Sequence, residues 1–252
     1  MRYWLVLPAA GVGRRFGGSR PKQYAPLHGR TVIEWALAPF LADPRCAATV
    51  VAIGAGDAYW GEVAQRLVKT ARPPPELIVA SGGAERSQSV RACLAALQDR
   101  ASAQDWVLVH DAARPCLPAE DLERLLGHLG SHPLGGLLAA PAADTLKRER
   151  LSGDQPAGGD REVAQTVDRA GLWRALTPQM FRYGRLCEAL DRALAAGRWP
   201  SDEVQALEWL GECPSLVQGS ATNIKVTAPD DVLIAAALLR ARATAASEEH
   251  SP

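Results

Sequence analysis

Short apolar runs alternate with helix-like stretches along the first half of the chain. The strand-like runs are Tyr3–Leu7, Thr49–Ile53, Leu77–Ala80, Trp106–Val109 and Leu137–Ala140. Between them lie helical patterns near Val32–Leu41, Ala58–Lys69, Ser87–Gln98 and Asp121–Leu129. This spacing predicts βαβ units and an α/β, Rossmann-like, mostly parallel sheet with helices on both faces. Ligands of such sheets bind beyond the carboxyl ends of the strands. The first candidates are therefore the loop after Leu7, Ser81-Gly82-Gly83 after Ala80, and His110-Asp111 after Val109.

The loop after Leu7 runs Pro8-Ala9-Ala10-Gly11-Val12-Gly13-Arg14-Arg15-Phe16-Gly17-Gly18 and continues Ser19-Arg20-Pro21-Lys22-Gln23. Small residues let backbone N–H groups approach a phosphate, and the arginines and Lys22 add positive charge. The dinucleotide fingerprint fails because Phe16 stands where the third glycine belongs, and the P-loop fails because Ser19-Arg20 replaces Lys-Ser/Thr. No kinase HRD or DFG signature follows. What remains, G-x-G-x-R plus P-K-Q, resembles the arrangement in sugar-nucleotidyltransferase-like enzymes. The plain alternative is a glycine-rich turn carrying surface arginines.

Lys+Arg and Asp+Glu are both 28, which argues against a nucleic-acid binder driven by global charge. No apolar run reaches membrane-spanning length and no signal-peptide pattern opens the chain, so no membrane partner and a cytoplasmic location are expected. The cysteines, Cys46, Cys93, Cys116, Cys187 and Cys213, show no C-x-x-C pairing and read as small buried apolar residues. The four lysines are Lys22, Lys69, Lys147 and Lys225, and every other basic residue is arginine. A lysine in such a chain marks a place where a compact ammonium matters. Lys69 has the look of plain helix surface.

From about Pro141 to Asp168 the alternation breaks. The polar, glycine-rich stretch 151–160 reads as the tip of a hairpin arm that protrudes from the domain. Helical patterns return at Arg185–Ala196 and Glu203–Leu210, a strand-like Leu216–Gln218 follows, and Pro229 opens a helix to about Leu239. The reading is one unit over 1–240, with the arm at about 141–168 and a polar tail at 241–252.

Three further strings carry chemistry. In His110-Asp111-Ala112-Ala113-Arg114-Pro115, Asp111 can hold Mg²⁺ or a substrate hydroxyl and Arg114 can grip a phosphate. An internal Asp–Arg pair is the alternative, and His110 reads as structural. Ser81 to Ser89 is a glycine turn feeding a helix, suited to a nucleobase edge through its backbone and Ser89, or to a helix cap with Ser87. Lys225 lies between Ile224 and Val226 in a strand-like element and calls for an anionic partner, unless it points to water at an edge.

The strings PAAGVGRRF, PKQY, SGGAERSQSV, VLVHDAARP, APAADTLK, TVDRAGLWRALTPQMF, SDEVQALE and NIKVT, in this order, closely resemble the 2-C-methyl-D-erythritol 4-phosphate cytidylyltransferase family of the non-mevalonate isoprenoid pathway. The resemblance spans about Tyr3 to Leu239. It implies a nucleotide-diphospho-sugar transferase type of fold and CMP transfer from CTP to the methylerythritol phosphate, with release of pyrophosphate. Arg15, Lys22 and Lys225 would be catalytic. Ala9, Ala10, Gly11, Gly13, Gly83, Ser89 and Asp111 would surround the nucleotide. Asp111, Arg114, Thr145, Arg169, Thr177, Ser201 and Lys225 would hold the acceptor. Mg²⁺ would be carried mainly by the CTP phosphates rather than by protein ligands. Arg169 would reach the neighbouring site of a homodimer formed through the arm. Ala84 departs from a common Asp, Ser201 from a common Thr, and the 151–160 stretch is longer than expected. A ribitol 5-phosphate cytidylyltransferase and a non-catalytic CTP-binding protein stay open as alternatives.

Overall fold

The computed structural model describes all residues except 12, 14, 15, 18, 19, 72, 151–160 and 249–252, and the side chains of 246–248. The strands are β1 (Tyr3–Pro8), β2 (Pro26–Leu27), β3 (Arg30–Thr31), β4 (Cys46–Ile53), β5 (Leu77–Ser81), β6 (Trp106–Val109), β7 (Gly135–Pro141), β8 (Leu146–Glu149), β9 (Val163–Val167), β10 (Trp173–Arg182) and β11 (Ser215–Gln218). The helices are α1 (Val32–Leu41), α2 (Trp60–Thr70), α3 (Arg86–Ala95), α4 (Ala119–Leu129), α5 (Tyr183–Ala195), α6 (Glu203–Glu208) and α7 (Pro229–Glu248).

A seven-stranded sheet has the order β11-β7-β10-β6-β1-β4-β5. β4 and β6 pair in parallel with β1, β5 with β4, and β11 with β7, whereas β10 runs antiparallel to β6 and β7. Strand side chains alternate between faces, and here both faces are apolar. Tyr3, Leu5 and Leu7 join Ile33, Leu37, Val63 and Leu125 in one core. Val6, Val107 and Val109 join Val90, Leu94, Leu186 and Leu207 in the other. The expected mostly parallel sheet, with helices on both faces, is present. A smaller cluster of Val32, Cys116, Val226, Ala235 and Leu239 docks α7.

Residues 141–168 contain a separate antiparallel pair, β8–β9, whose residues are almost all exposed. The expected tip at 151–160 lies outside the described residues. Four expectations need correction. β10 was not anticipated, because Arg174 and Thr177-Pro178 interrupt its apolar pattern. The tail is helical through Glu248, since Ala-rich sequence favours helix and Arg242 ties it to the Cys116 carbonyl and the Thr222 hydroxyl. Asn223–Thr227 is irregular rather than a strand, held by the Val226 N–H donating to the Ala113 carbonyl. Cys93 and Cys116 are buried, but Cys46 and Cys187 are half-buried and Cys213 is exposed. Among the described residues no helix is long and apolar enough to cross a membrane.

Candidate active site

A cavity of about 590 Å³ opens at the carboxyl ends of β1, β5 and β6. It is lined by the loop after β1 (Ala9, Ala10, Gly11, Gly13 and Lys22), the turn after β5 (Gly83 to Arg86, with Ser89), Asp111 to Ala113 after β6, and Lys225. Every candidate nucleotide residue thus faces one space. Of the four lysines, Lys22 and Lys225 line it.

Two local devices shape its walls. The buried Gln23 amide donates to the carbonyls of Ala9 (2.7 Å) and Gly11 (3.1 Å), folding the first loop back on itself. Gly13 sits at φ 65°, the left-handed region that favours glycine. In the second wall the Ser89 hydroxyl accepts from the Gly83 N–H (3.1 Å) and donates to the Glu85 carbonyl (3.3 Å). Ser89 therefore holds the turn as well as facing the cavity. Glu85, not Ser87, is the N-cap of α3, with its N–H donating to Gln88 Oε1. The Ser87 hydroxyl is buried without a hydrogen-bond partner.

Asp111 is the electrostatic centre. Oδ1 accepts from Arg86 Nε at 3.0 Å, and Oδ2 faces Lys225 Nζ at 2.8 Å and Arg114 Nε at 3.5 Å. Burial alone would raise its pKa, but Arg86, Lys225 and Arg114 together hold it well below the usual carboxylate range. The anionic partner that Lys225 called for is thus Asp111 in this state. Beneath Asp111, the Thr177 hydroxyl accepts from the Asp111 N–H (3.1 Å) and meets His110 Nδ1 (2.9 Å). His110 is fully buried, with Nε2 against the Arg114 carbonyl, and burial pushes its pKa down to about 4. It bonds the Thr177 hydroxyl and the Arg114 carbonyl and does not line the cavity.

The Arg114 fork is engaged internally. Its terminal nitrogens donate to the carbonyls of Asn223 (2.7 Å) and Ala175 (3.3 Å), so it ties the loop after β6 to β10 and to the segment carrying Lys225. Thr145 and Arg169 are exposed near β8–β9, and Arg169 donates to the Ala143 carbonyl. Ser201 is exposed and lines a separate groove with Trp173 and Asp202. None of these three lines the cavity of its own chain. Arg15 lies outside the described residues. Sequence reasoning passed over Gln23, Arg86, Asn223 and Glu203. Each lies within a quoted motif string, but only the fold brings Gln23 to the first loop, Arg86 to Asp111, and Glu203 and Asn223 to the arginines beside Asp111.

The seven-stranded fold is shared with solved cytidylyltransferases and is that of the α/β nucleotidyltransferase class. The IspD family model, 2-C-methyl-D-erythritol 4-phosphate cytidylyltransferase, matches residues 3–241, and the chain belongs to that family. A relative of that name from Ectopseudomonas mendocina (strain ymp) is 50% identical over 92% of this chain and 93% of the relative. One from Halorhodospira halophila is 49% identical over 99% of both chains. Among solved structures, a 4-diphosphocytidyl-2C-methyl-D-erythritol synthase superposes with TM-score 0.77 at 37% identity, covering 94% of this chain and 99% of the other. The Francisella tularensis cytidylyltransferase superposes with TM-score 0.74 at 32% identity, covering 94% and 100%.

Proposed function

We propose that the cavity transfers CMP from CTP to 2-C-methyl-D-erythritol 4-phosphate. The observation that carries this reading is the convergence of two glycine walls, Lys22 and the Asp111–Lys225 pair on one space. The acceptor phosphate, with a second pKa of about 6, is already ionised at neutral pH, so the reaction needs no general base. One of its oxygens attacks the α-phosphorus of CTP, the bond to the bridging oxygen of the β-phosphate breaks, and pyrophosphate leaves. The protein's task is to position two anions and offset their charge.

In this scheme Ala9, Ala10, Gly11, Gly13, Gly83 and Ser89 surround the nucleotide. Arg15 and Lys22 hold the triphosphate, and Lys22 stabilises the transition state and the leaving group. Lys225 serves the reacting phosphates and Asp111 fixes its ammonium. Arg114 and Thr177 brace Asp111 from below. A Mg²⁺ ion would be held chiefly by the CTP phosphates, with Asp111 as the buried carboxylate in the cavity wall. When bound, it would offset phosphate charge.

Thr145 and Arg169 belong to the site of a second copy, with dimerisation through the β8–β9 arm. Their exposure away from their own cavity supports this, as do the exposed Leu146, Val163, Leu172 and Trp173. Residues 1–240 act as one catalytic unit in the cytoplasm. The test is Lys22→Ala. Its kcat should fall by roughly a hundredfold or more, far more than KM for CTP rises, because most of the lost interaction belongs to the transition state. A raised KM with unchanged kcat would contradict the role given to Lys22.

A further inference from the structure

Arg86 lines the cavity, yet its side chain is arranged to join two buried carboxylates rather than to clamp a phosphate. Nη1 and Nη2 donate to Glu203 at 2.6 and 3.0 Å, and Nε donates to Asp111 Oδ1 at 3.0 Å. Glu203 is 1% exposed, and a carboxylate so buried is costly without a cation. Burial opposes the charge on Arg86, but Glu203 and Asp111 outweigh it and keep the guanidinium protonated. Glu203 therefore orients the fork, and the fork offers its Nε–H to Asp111. Charges alternate from Glu203 through Arg86 and Asp111 to Lys225, running from the interior to the cavity wall. The chain also crosses the molecule: Arg86 opens α3 beside the Gly83 turn, and Glu203 opens α6 two residues after Ser201.

The geometry points to Arg86 and Glu203 as positioning residues that fix the Asp111 carboxylate and, through it, the Lys225 ammonium. This inference rests on the cytidylyl-transfer reading of the cavity. Without Arg86, Asp111 keeps only the cations on its Oδ2 side and can turn toward them, carrying Lys225 away from the reacting phosphates.

The test compares Arg86→Lys with the double variant R86Q/E203Q in pyrophosphate release, with the melting temperature of each recorded. Lysine keeps a charge for Glu203 but lacks the fork that reaches two carboxylates at once. The double variant removes both charges of the pair, so no unpaired buried charge remains. Misplacement of a reacting group by about an ångström can cost on the order of a hundredfold. A fall in kcat of about tenfold or more is therefore expected in both variants, with KM for CTP within about twofold of wild type. Recovery of wild-type kcat by R86Q/E203Q would overturn the positioning role and leave the pair a purely structural one. If the double variant does not fold, Arg86→Lys decides alone: a folded protein with wild-type kcat overturns the inference. Absence of turnover in the wild type would instead sink the cytidylyl-transfer reading itself.

Discussion

His110 and Asp111 are adjacent and both buried, yet their environments drive them to opposite charge states. Asp111 has three cations around it and stays ionised. His110 has a hydroxyl and a carbonyl as its partners, and burial leaves it neutral with a pKa of about 4 against an ordinary 6.5. Between those values the unfolded chain binds a proton that the folded chain refuses, so the His110 contribution to stability is full above pH 6.5 and falls as pH drops toward 4. The total is on the order of 3 kcal/mol. The depressed pKa of Asp111 acts mostly below this window, because its contribution is lost only under the ordinary carboxylate value. Denaturant titrations at pH 7 and pH 4.5 should therefore show a steeper loss for wild type than for His110→Gln. Parallel losses would mean that His110 is not the group responsible.

At the scale of elements, the site depends on how closely two loops approach. A Cβ on Gly82 would lie 2.2 Å from Ala10 Cβ and 3.1 Å from Ser89 Oγ, so Gly82→Ala must push the β1 and β5 loops apart. Overpacking of this kind costs about 1–3 kcal/mol, and Kd for CTP should rise by roughly tenfold. Isothermal titration with CTP checks this, and wild-type affinity would show that the loops can separate freely. Much of the arrangement was legible beforehand. The parallel strands announced themselves as apolar runs, and the residues after β1, β5 and β6 do line one cavity. β10 was hidden because its place is set by pairing with β6 and β7, not by a local pattern. Arg86, Glu203 and Gln23 were hidden for a related reason. Their partners are distant in sequence, and a charged residue in a helix's first turn ordinarily reads as solvated surface.

At the scale of the whole molecule, Thr145, Arg169 and Ser201 stand apart from the cavity of their own chain. If the arm carries Thr145 and Arg169 to a second copy, Lys22→Ala and Arg169→Ala subunits, each inactive alone, should complement each other. Equal co-expression forms half heterodimers, each with one intact site, and should restore roughly a quarter of wild-type activity. No recovery would mean that Arg169 serves its own chain or no site at all. The central claim concerns the acceptor, and the most direct measurement is pyrophosphate release from CTP and Mg²⁺, with 2-C-methyl-D-erythritol 4-phosphate compared against ribitol 5-phosphate. Turnover confined to the methylerythritol substrate is the predicted result. Turnover only with ribitol 5-phosphate, or with neither acceptor, would contradict it.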